Sequence, residues 1–251
     1  MVRGVEIFRQ HFAGFEANYV LIGGGACDLL HDALGIQFRP TKDFDIVLNV
    51  EALASDKTFM QKIWEFVIAG EYEIRQRGEN RQLYRFVKPK TKDYPHQIEL
   101  FSRRPDVLML PSDAVLTPIP GDDEVSSLSA ILISEASYQF LMQGTAVVQG
   151  VRAATAERLI ALKAIAWTNL KARTGHVDKK DIIKHRKDIY RLARLLAPDT
   201  QFELPTDLKN SLAAWVEEGR ITPLDVNDPA LDGRCEAEYL ALIHSVFFSG
   251  T

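Results

Sequence analysis

Tyr19-Val20-Leu21-Ile22 runs without interruption into Gly23-Gly24-Gly25, and the chain continues as Ala26-Cys27-Asp28-Leu29-Leu30. A short apolar run that stops at glycine reads as a buried strand entering a tight turn, and residues 26–33 beyond it read as a helix. Strand, turn and helix in succession call for a sheet with helices packed on it, so the chain is expected to be a mixed α+β protein.

The next strand carries the chemistry. In Asp43-Phe44-Asp45-Ile46-Val47-Leu48-Asn49-Val50 the pattern has period two, which puts Phe44, Ile46, Leu48 and Val50 on one face and Asp43 and Asp45 on the other. Side chains two apart on a strand lie a few ångströms from each other. Two carboxylates that close repel unless a cation sits between them, and a hard divalent ion would also grip phosphate oxygens. Read alone, Asp-x-Asp is short and frequent and fits a solvated sheet margin better. The glycines upstream tip the balance, because they bare backbone N–H groups at a helix start where an anion can approach.

Leu21-Ile-Gly-Gly-Gly-Ala26 and Arg39-Pro-Thr-Lys-Asp-Phe-Asp45 together resemble the signature of the nucleotidyltransferase superfamily with the DNA polymerase β-like fold. Within it the likeness is to the AbiEii and MenT-type toxin branch. Two later segments extend the resemblance in the same order. Thr155-Ala-Glu-Arg-Leu-Ile-Ala-Leu-Lys163-Ala resembles the helix whose lysine faces the nucleotide. Arg186-Lys187-Asp188-Ile-Tyr190-Arg-Leu192 resembles a following element with two aspartates, of which Asp188 matches the first while Arg191 stands at the second. The likeness spans residues 18–196. Gly25 departs from it, standing where the family carries Ser or Thr.

The resemblance implies a metal-dependent enzyme. Asp43 and Asp45 are expected to hold Mg²⁺ or Mn²⁺, and Gly23, Gly24 and Gly25, with Arg39 and Lys42, to contact the triphosphate. Lys163 is expected to neutralise phosphate charge, and Asp188 to orient Lys163 or a sugar hydroxyl. In His96-Gln-Ile-Glu-Leu-Phe101, Glu99 has the parity of a third carboxylate, acting as ligand or base, since Ile98 and Leu100 face away from Gln97, Glu99 and Phe101. The implied reaction is in-line attack of an acceptor hydroxyl on the α-phosphorus of a nucleoside triphosphate, with pyrophosphate leaving. By likeness to the toxin branch the acceptor is RNA, a tRNA 3′ end, and an antitoxin protein from an adjacent gene is the expected partner.

Charge bears on the acceptor. A formal net charge of −4 over 251 residues excludes a wholesale basic coat. Residues 151–200, however, hold 12 Lys/Arg against 5 Asp/Glu, and residues 201–251 hold 3 against 9. Lys180, Lys184 and Lys187 recur at helical spacing inside the basic block and are the candidate RNA-backbone contacts. A small hydroxylated acceptor such as an antibiotic would need no such block. A non-catalytic nucleotide-binding protein is a third reading, favoured by Gly25 and opposed by Asp43 and Asp45.

Several classes drop out. Cys27 and Cys235 are too few for a disulfide framework or a zinc cluster. The six histidines show no zinc-hydrolase spacing, and neither a P-loop nor a G-x-S-x-G elbow occurs. Arg3, Glu6 and Arg9 interrupt any signal-like apolar core, and no stretch approaches about 18 apolar residues, so a cytoplasmic protein away from the membrane is expected. Further strands are expected at 83–87, 97–101 and 130–133, and helices at 5–15, 55–69, 155–171, 177–196, 205–218 and 236–247. The Pro- and Gly-bearing stretch 111–123 reads as a boundary. It would separate a nucleotidyltransferase-like mixed sheet flanked by helices, 1–120, carrying the metal site, from a mainly helical region, 121–251, completing the nucleotide and acceptor site.

Overall fold

The computed structural model describes residues 2–55, 58–74, 84–103, 116–118, 129–174 and 178–249. The chain forms two compact units, Met1–Ala154 and Thr155–Thr251.

The first unit is a mixed sheet with helices. In chain order its strands are β1 (Tyr19–Ile22), β2 (Asp43–Leu48), β3 (Glu73–Ile74), β4 (Arg85–Val87) and β5 (Gln97–Ser102), then β6 (Leu116–Pro118), β7 (Ser129–Leu132), β8 (Thr145–Val148) and β9 (Val151–Ala154). Its helices are α1 (Val5–His11), α2 (Gly23–Ala33), α3 (Val50–Ser55), α4 (Thr58–Ala69) and α5 (Glu135–Met142). The main path across the sheet is β3-β4-β5-β2-β1-β9-β8. β2 runs antiparallel to β1 and parallel to β5, and β4 is antiparallel to the start of β5. β7 pairs with the end of β5 and with β6.

Register places the chemistry. Phe44, Ile98 and Leu100 are buried, and Ile46, Ile98 and Leu100 meet Phe8, Phe12, Phe59 and Phe66 of the helical layer. Phe8 sits 5.1 Å from Phe44 and 5.8 Å from Phe66, ring centre to ring centre, within the range at which aromatic pairs attract. Burying each such ring contributes about 1.5–3 kcal/mol, which holds these strands with one face inward. The alternate residues Asp43, Asp45 and Glu99 therefore stand on the opposite face.

Several boundaries differ from those expected. The helix after β1 begins at Gly23 rather than residue 26, because Gly23 takes φ +68°, a left-handed conformation that is cheap only for glycine. The strand expected to reach residue 50 stops at Leu48. Asn49 Oδ1 accepts the Ala52 N–H at 3.3 Å, and the Val50 N–H donates to the Tyr138 hydroxyl at 3.0 Å, so the backbone turns into α3. Ser55 closes α3 instead of opening a helix through residue 69. Residue 83 lies outside the described residues, and of 111–123 only 116–118 are described. The division into units falls after Ala154, since the β8–β9 hairpin joins the sheet through pairing of Leu21 with Ala153.

The second unit is helical: α6 (Ala156–Ala172), α7 (Lys179–Ala193), α8 (Thr206–Ile221) and α9 (Glu236–Phe248). Asp178 starts α7 by accepting the Lys180 N–H at 2.9 Å. Tyr190 is fully buried, 4.6 Å from Trp215 and 5.9 Å from Tyr239 between ring centres.

Among the described residues, no helix is long and apolar enough to cross a membrane.

Candidate functional site

In the first unit the glycine turn and the aspartate strand are in contact. Ile22 pairs with Asp45 across β1 and β2, so Gly23 emerges beside the Asp45 carboxylate. A Cβ on Gly23 would overlap Asp45 Oδ2 and lie 2.8 Å from its Cγ. At Gly24 a Cβ would come within 2.5 Å of Thr41 Oγ1 and 3.5 Å of Arg39 Nη2. At Gly25 it would come 3.2 Å from the Asp43 carbonyl oxygen. The three glycines thus bring the start of α2 directly against the segment 39–45, a separation that any side chain would widen. Their own N–H groups lie at the positive end of an 11-residue helix.

Asp43 and Asp45 project from the same face of β2. Asp43 Oδ1 is shut off from solvent without a hydrogen-bond partner among the described residues, 3.8 Å from His96 Nδ1. Glu99 stands directly opposite Asp45 on β5, and Arg85 directly opposite Glu99 on β4. The Arg85 guanidinium pairs through Nε with Glu99 Oε1. Glu99 therefore has the expected parity, but its charge is already answered from the far side. Among the described residues no group of three His, Cys, Asp or Glu side chains is arranged to hold a metal ion. Arg39 packs its guanidinium 5.2 Å from the Phe38 ring centre, and Lys42 is exposed.

The remaining candidates belong to the second unit. Lys163 and Asp188, 25 residues apart, come together in a buried ion pair with Nζ 3.0 Å from Oδ2. Arg191 donates to the other oxygen of Asp188 at 3.2 Å. Burial, the Lys163 ammonium and then Lys184 push the neighbouring His185 imidazole down to about 4.

The basic block is largely answered from within the same unit. Lys187 Nζ lies 2.6 Å from Asp228, Lys171 2.8 Å from Glu218, and Arg194 2.9 Å from Asp232. Arg186 is 3.6 Å from Glu236, whose oxygens also accept from the Tyr190 hydroxyl and the Leu224 N–H. Burial raises the Asp228 carboxyl, but Lys187 and the Ala230 N–H outweigh it and leave the group below its ordinary value. Of the three lysines singled out for RNA, Lys187 and Lys184 have carboxylate partners, the latter Asp181 at 3.1 Å, while Lys180 is exposed.

Sequence reasoning missed Arg85, Thr41 and His96. Arg85 had no signal of its own, since its place depends on the register of β4 against β5. Thr41 and His96 lie within the quoted motifs and could have been found by their proximity to Asp43.

Among solved structures the chain is similar to an antigenic nucleotidyltransferase-like protein from Paracoccidioides brasiliensis, at 15% identity over 93% of each chain with a TM-score of 0.47. It is also similar to the antibiotic-resistance factor ANT(2'')-Ia, at 13% identity over 86% of this chain and 91% of that one with a TM-score of 0.40. No curated protein matches. Residues 7–248 match the family described as "Nucleotidyl transferase AbiEii toxin, Type IV TA system", and the chain belongs to this family of nucleotidyltransferase toxins.

Proposed function

We propose that the first unit performs metal-dependent nucleotidyl transfer, with Asp43 and Asp45 holding Mg²⁺ or Mn²⁺ and the Gly23–Gly24–Gly25 turn receiving the triphosphate. The observation that carries this reading is the contact between Gly23 and the Asp45 carboxylate, which sets a carboxylate strand and a helix start side by side. The residues suit a hard divalent cation. Their donors are carboxylate oxygens, and Asp43 Oδ1 is enclosed without a hydrogen-bond partner among the described residues. The metal, when bound, supplies charge neutralisation at the phosphates and lowers the barrier to in-line attack. The backbone N–H groups of the glycine turn orient phosphate oxygens, and Arg39 adds a cation beside Gly24.

The acceptor in this reading is RNA, a tRNA 3′ end, consistent with a toxin that is paired with an antitoxin and acts in the cytoplasm. The exposed lysines at the start of α7, Lys179 and Lys180, support it. One observation favours a small hydroxylated acceptor instead: Lys184 and Lys187 already face carboxylates.

Wild type and Asp45→Asn are incubated with labelled nucleoside triphosphates, Mg²⁺ and total tRNA. Label is expected on tRNA with wild type and absent with Asp45→Asn, and equal labelling by the variant defeats the metal assignment. Salt dependence then separates the acceptors. With RNA, Lys180→Gln flattens the slope of log affinity against log salt by about 0.7–0.9, whereas Lys187→Gln leaves it unchanged.

A further inference from the structure

Among the described residues, Arg85 is the one cation in the row that crosses the sheet at the aspartates. That row reads Ile22, Asp45, Glu99 and Arg85 on β1, β2, β5 and β4. Directly opposed residues on neighbouring strands lie about 5 Å apart on the same face, so Glu99 is flanked by a carboxylate on one side and a guanidinium on the other. Glu99 turns to the guanidinium. The pair is not a loose surface contact, for the Glu99 side chain is 13% exposed. Arg85 keeps its two terminal nitrogens uncommitted by any hydrogen bond among the described residues, and its guanidinium rests 5.8 Å from the Tyr84 ring centre.

The charges make the arrangement consequential. Asp43, Asp45 and Glu99 carry three negative charges on one face, and Arg85 reduces their sum to that which one divalent cation neutralises. As long as Arg85 holds Glu99, the third carboxylate is withheld from the aspartates. A guanidinium prefers phosphate or carboxylate oxygens through paired N–H donors. An incoming triphosphate therefore offers Arg85 an alternative anion at the moment when a further carboxylate ligand becomes useful.

We propose that Arg85 is a positioning residue that competes with the metal for Glu99, and that the phosphates of the bound nucleotide draw it off. Arg85 thereby keeps the nucleotide-free protein weak for the cation and couples full coordination to arrival of the triphosphate. This rests on the reading of Asp43 and Asp45 as metal ligands.

The test titrates Mn²⁺ into the nucleotide-free protein, with free ion counted by electron paramagnetic resonance, for wild type, Asp45→Asn, Arg85→Gln, Arg85→Lys and Glu99→Gln/Arg85→Gln. Circular dichroism checks that each is folded. Removing the competitor is expected to tighten Mn²⁺ binding by about 3- to 30-fold in Arg85→Gln, because the carboxylate of Glu99 is then released from its counter-charge. The gain is expected to vanish in the double variant, and Arg85→Lys to keep most of the wild-type weakness. In steady-state assays Arg85→Gln is expected to raise KM for the triphosphate more than it lowers kcat. Unchanged or weaker Mn²⁺ binding in a folded Arg85→Gln, or a gain that survives loss of Glu99, overturns the proposal while leaving the aspartate site standing. If Asp45→Asn binds Mn²⁺ as wild type does, both readings fall.

Discussion

Lys163 and Asp188 meet 3.0 Å apart with 6% and 0% of their side chains exposed, so each is the counter-charge that makes the other's burial tolerable. Their helices, α6 and α7, are joined at this point by a bond between full charges, with Arg191 completing the second oxygen of Asp188. Taking away one partner leaves an ion desolvated and unanswered. Asp188→Asn is expected to destabilise the protein by about 3–5 kcal/mol in urea denaturation. Lys163→Met with Asp188→Leu is expected to cost clearly less than the sum of the two single changes, because no lone charge remains between them. A double variant as damaging as that sum would show the pair to be independent.

Gly23→Ala tests the close approach of α2 to β2. Alanine at φ +68° is strained by about 1 kcal/mol, and its methyl group would fall on the Asp45 carboxylate. The expected result is a modest drop in melting temperature together with loss of Mn²⁺ affinity comparable to that of Asp45→Asn. Gly14→Ala is the matching control, since Gly14 has φ +86° with open space around it and should show the strain alone. Normal metal binding by Gly23→Ala would mean that the carboxylate is free to move aside.

His185 gives the second unit a defined pH response. The folded protein keeps this imidazole neutral until about pH 4, whereas the unfolded chain protonates it near 6.5. Between those values the unfolded state binds the extra proton, so stability is complete above about pH 6.5 and declines as pH falls towards 4. The loss attributable to His185 is about 3 kcal/mol at most. His185→Gln should flatten this decline in equilibrium unfolding followed from pH 7 to 4, and an unaltered slope would place the proton elsewhere.

The aspartate strand was legible because its pattern is local. Asp43 and Asp45 alternate with Phe44 and Ile46, and burial of the apolar set fixes where the carboxylates point; the parity of Glu99 follows in the same way. The ion pair to Arg85 was not legible, because it exists only through β4 lying antiparallel to β5 in one register. Strand ends were misjudged where a side chain intervenes: Asn49 halts β2 by capping α3, and Val50, apolar and β-branched, gives no hint of it. The hairpin at Gln149-Gly150 was missed because Thr145 to Ala154 has no strong alternation, and its turn is set by φ +48° and +77°. The opposite charges of residues 151–200 and 201–251 were visible as blocks. That Lys187 finds Asp228 across 41 positions was not, since the acidic partner lies in irregular chain between α8 and α9.

These pairings also bear on synthesis. α7 is synthesised before Asp228 and Glu236, so Lys187 and Arg186 are first made without the carboxylates that later cover them. The segment that carries Asp228 and Glu236 thus acts as a counter-ion that arrives after the helix it covers, and a chain halted ahead of it leaves Lys187 and Arg186 of α7 without these partners.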